Sequence, residues 1–138
     1  MKRIGIDLDG TITPYGFCNP NIRLPWWLFC FLVPFVALSK PKKSVVEKMR
    51  LMQYQGYRFV IVTSRPNQFS WFTRRLLAFH HVPFDTLFCV GFGKGSNERK
   101  LKVIQREKLE IFVDSNKQIV EFMKRNSVNA VNSLSKVP

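Results

Sequence analysis

Two aspartates one residue apart, Asp7 and Asp9, close an apolar run that begins at Ile4, and Gly10-Thr11 follows them. Alternate side chains of extended backbone point the same way, so both carboxylates can converge where the run ends. A buried strand has no structural use for two acids at its tip. A hard divalent cation and a nucleophilic reaction do. Polar endings recur along the chain: Tyr57-Arg-Phe-Val-Ile-Val-Thr63 leads into Ser64-Arg65, and Glu110-Ile-Phe-Val-Asp114 ends in an acid followed by Ser115-Asn116.

The segments between these tips read as a regular alternation. An apolar strand over Ile4–Leu8 is followed by a helix that starts at Pro41, where the missing N–H is tolerated. That helix turns Val45, Val46, Met49 and Met52 inward and closes at Gly56. After the strand Tyr57–Thr63 comes a predicted helix from Asn67 to about His81, with Phe69, Phe72, Leu76, Leu77 and Phe79 as its apolar positions. A turn at Val82–Asp85 leads to a short strand, Thr86–Val90. Gly91–Ser96 is glycine-rich but has the spacing of neither a Walker loop nor a dinucleotide fingerprint, so it reads as a connection. A helix over Asn97–Glu107 faces inward with Leu101, Ile104 and the stem of Lys108. Glu110–Asp114 is the next strand, Ser115-Asn116 caps a helix to about Asn126, Val128–Val131 is a weak last strand, and the tail to Pro138 reads as loose.

Strand and helix in strict alternation imply an α/β fold, a doubly wound parallel sheet with helices on both faces in a three-layer α/β/α sandwich. Ligands in such sheets bind beyond the carboxyl ends of the strands. Asp7, Asp9, Thr63, Ser64 and Asp114 all stand at such ends.

The chain of 138 residues fits one domain, 1–138, and its 46% hydrophobic content excludes a disordered chain. Cys18, Cys30 and Cys89 form no CxxC pair, which suits free thiols in a reducing compartment. No secretory leader precedes the first strand, so the expected location is cytoplasmic, peripheral at a membrane if the insert docks there. The 22 Lys and Arg against 9 Asp and Glu give +13. That balance suits a phosphorylated substrate, nucleic acid or anionic lipid, and equally a plain lysine-rich surface. A short insert, 14–43, follows the first strand. Its core, 24–38, has no charged residue, but as a helix it reaches only about 22 Å against the ~30 Å of a bilayer core, and Pro34 would bend it. It reads as a small cap, as a membrane-interface element anchored by Trp26 and Trp27, or as a contact in a homo-oligomer.

The ordered motifs resemble the haloacid dehalogenase superfamily of phosphatases. Asp7-Leu-Asp-Gly-Thr11 matches that family's first motif, the strand ending at Thr63-Ser64 its second, and Ile111-Phe-Val-Asp114 its fourth. Lys100 has the spacing of the third-motif lysine, with Lys102 the runner-up. The resemblance covers the chain apart from the insert. It implies that Asp7 attacks phosphorus, that Asp9 serves as acid and then base, and that Lys100 neutralises charge. Thr63 and Ser64 would bind the phosphoryl group, with Gly10, Thr11 and Arg65 as further substrate contacts, Arg65 being equally readable as a surface loop residue. It also implies Mg²⁺ held by Asp7, Asp9 (through its main-chain carbonyl) and Asp114. Two features depart from the family pattern: Ser115-Asn116 stands where a second acid is usual, and no sizeable cap is present. In that family a small insert implies an open site, with a large or membrane-associated substrate or a partner that closes the site; a soluble nucleotide or sugar phosphatase, or a non-catalytic phosphate-binding or membrane-docking module, are the alternatives.

Overall fold

The computed structural model describes residues 1–14 and 39–138. Within them five strands pair in parallel: β1 (Lys2–Ile6), β2 (Tyr57–Thr63), β3 (Thr86–Cys89), β4 (Ile111–Val113) and β5 (Ala130–Val131). Their order across the sheet is β3-β2-β1-β4-β5. The described helices are α1 (Lys43–Tyr54), α2 (Ser70–Phe79), α3 (Ser96–Arg106) and α4 (Lys117–Arg125). The three-layer, parallel α/β architecture is the one expected.

Period-two alternation divides the core. Ile4 and Ile6 of β1 and Phe59 and Ile61 of β2 face α1 and α2, packing against Met49 and Leu77. Val60, Val62 and Phe112 face the other way, onto Ile104 of α3 and Ile119 and Met123 of α4. Gly5 lies between Ile4 and Ile6, and a Cβ there would come within 2.7 Å of Leu109 Cδ1 and 2.9 Å of Phe112 Cδ2. Glycine therefore lets the segment after α3 lie close against the central strand.

Several boundaries differ from the expected ones for identifiable reasons. β1 ends at Ile6, so Leu8 belongs to a tight turn that Thr13 closes by donating its N–H to the Leu8 carbonyl at 3.0 Å. The predicted helix from Asn67 opens with a single tighter turn, Asn67–Phe69, before α2 begins. Its inward positions are Thr73 and Leu77, while Phe69 and Phe79 are 47% and 77% exposed. In α3 the buried positions are Lys100 and Ile104, and Lys108 lies outside the helix, exposed. The glycine-rich loop is not slack: Arg99 donates from its guanidinium to the carbonyls of Val90, Gly91, Phe92 and Lys94. The tail is docked, with Leu134 buried, a short turn over Leu134–Lys136, and the Tyr57 hydroxyl donating to the Pro138 carbonyl at 2.6 Å.

The uncharged core of the insert, 24–38, lies outside the described residues, and with it the cap, membrane and homo-oligomer readings. So do Cys18 and Cys30. Where the described chain resumes it returns to its point of departure, the Lys42 N–H donating to the Ile12 carbonyl at 2.7 Å. Among the described residues no helix is long and apolar enough to cross a membrane.

Candidate active site

Strand order decides where polar groups can gather. The chain lays β2 and β3 to one side of β1, then crosses back through α3 to place β4 on the other side. The resulting switch point lies between β1 and β4, and a crevice at their carboxyl ends is the expected binding place. Asp7 follows β1, Asp114 follows β4, and α3, the crossing element, carries Lys100.

Lys100 is fully buried, and its Nζ donates to Asp7 Oδ1 at 2.8 Å and to Asp114 Oδ2 at 3.2 Å. Burial alone would lower the lysine, but the two carboxylates more than reverse it and hold the ammonium above its ordinary range. At Asp7 burial prevails instead. It pushes that carboxyl up to about 7, against the pull of Lys100 and with the help of Asp114 and Asp9. Asp7 Oδ2 is the freer oxygen, accepting a long hydrogen bond from the Thr11 hydroxyl at 3.5 Å.

Thr11 reaches back to Asp7 because Gly10 turns the chain at φ +85°, a region L-residues avoid. Its oxygen also accepts the Ser115 N–H at 2.9 Å, which joins the turn after β1 to the one after β4. Asp114 Oδ1 accepts the Asn116 N–H at 2.9 Å, and the Asn116 side chain caps α4 by accepting the Gln118 N–H at 3.0 Å. Asn116 thus has a structural task, and Ser115 faces Thr11 with its hydroxyl at 3.3 Å.

Asp9 has a separate set of partners. Arg65 is buried, not a surface loop residue, and grips Asp9 in a bidentate pair: Nε to Oδ2 at 2.9 Å and a terminal guanidinium nitrogen to Oδ1 at 2.7 Å. The Thr63 hydroxyl donates to Asp9 Oδ2 at 3.3 Å. The other end of the guanidinium donates to Thr73 Oγ1 at 3.3 Å, which explains a threonine on the inward face of α2. Thr73 was missed in sequence because nothing local marks it. Ser64, half-buried, shares a 2.6 Å hydrogen bond with Ser96 at the start of α3. At the tip of β3, burial pushes the Cys89 thiol up to about 11, the mark of an inert thiol.

The sequence-predicted site residues therefore gather at the carboxyl ends of the strands. Asp7, Asp114 and Lys100 form one cluster, Asp9, Thr63 and Arg65 another, with Thr11 beside the first and Ser64 flanking α3. Lys102, the runner-up to Lys100, is exposed.

No protein-family model matches the chain, and no curated protein matches its sequence. Solved structures do match its shape. A chain of the Pnkp1/Rnl/Hen1 RNA repair complex superposes with a TM-score of 0.69 at 20% identity, over 94% of this chain and 41% of that one. D,D-heptose 1,7-bisphosphate phosphatase from B. bronchiseptica, solved with magnesium and phosphate, gives 0.63 at 11% identity over 94% and 79%. The HAD domain of the effector Lem4 from Legionella pneumophila gives 0.57 at 13% identity over 96% and 85%. The fold is HAD-like. This chain spans about two-fifths of the RNA repair chain's length.

The fold raises the question of Mg²⁺. Among the described residues no three acidic, histidine or cysteine side chains converge as a ready-made cage, since Asp9 is turned onto Arg65. The donor chemistry nonetheless fits a hard cation. Asp7 and Asp114 both lie within reach of one ammonium, and each keeps oxygen lone pairs beyond those that Lys100 uses. Three buried carboxylates also face two buried cations, Lys100 and Arg65, and that excess helps raise Asp7. A further positive charge relieves it.

Proposed function

We propose that the protein is a Mg²⁺-dependent phosphomonoester hydrolase working through an aspartyl-phosphate. The observation that carries this reading is the fully buried Lys100 held on Asp7 and Asp114 at the switch point of an HAD-like sheet. A structural lysine has no need to be buried there, because removing both charges and filling the space with apolar groups is commonly neutral or stabilising.

Asp7 Oδ2 attacks phosphorus, the bond to the ester oxygen breaks, and that oxygen leaves with a proton from Asp9. A water then attacks the phosphorus of the aspartyl-phosphate, Asp9 takes its proton, and Asp7 and inorganic phosphate are released. Lys100 neutralises charge on the nucleophile and the phosphoryl group, and phosphoryl transfer asks mainly for such positioning and charge stabilisation. Arg65 and Thr63 fix the Asp9 carboxylate, and Thr63 and the neighbouring Ser64 would bind the phosphoryl oxygens. Asp7, the Asp9 main-chain carbonyl and Asp114 would hold Mg²⁺, which supplies charge neutralisation between an anionic nucleophile and an anionic substrate.

The test is hydrolysis of an aryl phosphate with Mg²⁺ by wild type and Asp7→Asn. Wild type is expected to turn over, and Asp7→Asn to fall to background with an unchanged circular dichroism spectrum. Comparable rates in the two would refute the mechanism. No turnover by wild type with any of the aryl, nucleotide, sugar or lipid phosphates would leave a phosphate-binding module on the same fold as the better reading.

A further inference from the structure

Beside the groups already described lies a cleft of about 250 Å³, walled by the start of α1, the turn after β1, Ser115 and the segment that follows β5. Small-molecule sites usually run about 300–1,000 Å³, so this one has room for a compact polar group and little more. Two lysines, Lys42 and Lys48, line it together with Ser44, Asn132, Ser133 and Ser135, and no carboxylate is among its lining residues. Lys42 is tied down, its Nζ donating to the Gly10 carbonyl at 3.3 Å. Lys48 is different: it is half-buried and forms no ion pair with any described carboxylate. A half-buried lysine with no counter-ion among the described residues, in a cleft shared with serines and an asparagine, is an anion-seeking arrangement.

The cleft adjoins the Asp7 cluster, with Thr11 and Ser115 between the two. Gly10, Thr11 and Ser115 line it, and the Thr11 hydroxyl lies 3.5 Å from Asp7 Oδ2. A substrate whose phosphoryl group meets Asp7 therefore has the cleft as its immediate neighbour. Resting on the phosphatase reading, we infer that the cleft is a second anion subsite, which takes a second phosphate of the same substrate beside the scissile monoester. The substrate class is then a compound with two phosphates close together: a bisphosphorylated sugar or nucleoside, or the phosphorylated end of a polynucleotide, whose next phosphodiester supplies the second anion. Lys48 recognises the second phosphate as a point charge, and the serines and Asn132 offer it neutral donors.

The decisive comparison uses a nucleoside 3′-monophosphate, the matching 3′,5′-bisphosphate, a sugar bisphosphate and a dinucleotide with a terminal phosphate. p-Nitrophenyl phosphate serves as a substrate with no second anion. A charge-assisted contact to the second phosphate is expected to raise kcat/KM for doubly anionic substrates roughly tenfold or more over the monophosphate. Lys48→Gln should erase that advantage through KM and change p-nitrophenyl phosphate turnover less than twofold. The dinucleotide and sugar arms tell which source of second phosphate fits the cleft. Equal kcat/KM for mono- and bisphosphates, or a Lys48→Gln loss of the same size on every substrate, overturns the subsite. Binding decides independently of turnover: calorimetry on Asp7→Asn with the 3′,5′-bisphosphate and the monophosphate, with and without Lys48→Gln. Tighter bisphosphate binding that Lys48→Gln abolishes supports the subsite even if hydrolysis fails. Identical affinities refute it even if hydrolysis succeeds.

Discussion

Replacing Lys100 with methionine tests the site most directly, because the side chain keeps its length and loses its charge. The lysine makes two contacts, 2.8 Å to Asp7 and 3.2 Å to Asp114, with 1% of its own side chain exposed. At an effective dielectric near 20 these are worth about 6 and 5 kcal/mol of gross attraction, from which desolvation of three groups must be subtracted. Removing one partner of such a buried cluster costs about 3–5 kcal/mol, because the charges left behind have no counter-ion. The loss must depend on pH. Asp7 already sits at about 7, above the unfolded 3.8, so the folded form binds the extra proton and the metal-free protein loses stability as pH rises through that interval. Lys100 pulls Asp7 down, so Lys100→Met raises it further and carries the loss to higher pH. Urea unfolding without metal should therefore show Lys100→Met destabilised by about 3–5 kcal/mol at pH 8 and by clearly less near pH 5, where Asp7 takes a proton. Turnover of aryl phosphate should fall by roughly 10²–10³. A variant as stable as wild type at pH 8, or destabilised equally at both pH values, would refute the argument that the lysine is held by ionised carboxylates.

Arg65→Lys keeps the charge but gives up the bidentate hold on Asp9, so kcat should fall by about tenfold or more with KM nearly unchanged. A parallel rise in KM would instead mark Arg65 as a direct substrate contact. Cation binding to a carboxylate requires its proton to leave, and burial holds Asp7 up at about 7. Mg²⁺ affinity measured by calorimetry should therefore tighten by up to about tenfold per pH unit below 7 and level off above it, and a flat profile would remove Asp7 from the ligand set.

Much of the sheet was legible because apolar runs with polar ends are a local signal. β2 occupies the predicted Tyr57–Thr63, and the tips that collect Asp7, Thr63 and Asp114 are the predicted ones. Lys100 was legible only through the spacing of the family resemblance, since helix periodicity placed Leu101 and Lys108 inward and gave no reason to bury a charge. The apolar positions of α2 mark its inward face only in part: Leu77 is buried as expected, Phe69 and Phe79 are exposed, and Thr73 turns inward to hold Arg65. That reason lies in a pairing between residues 56 apart, which no window of sequence contains. The docked tail was missed for the same reason: Leu134 and the Pro138 carbonyl find their partners on elements made much earlier.

The central place of β1 has a consequence for the order in which the molecule is made. The strand bearing Asp7 and Asp9 comes first in the chain but becomes interior only when β2 pairs on one side and β4 on the other. Arg65 lies 56 residues beyond Asp9, and Lys100 lies 93 beyond Asp7. Such long-range closures come late and slowly in folding. A nascent chain therefore carries its two acids bare, without the cations that pair with them in the folded protein. On the phosphatase reading, activity would switch on only once α3 and β4 have crossed back beside β1, and a half-made copy left by stalled synthesis would be silent.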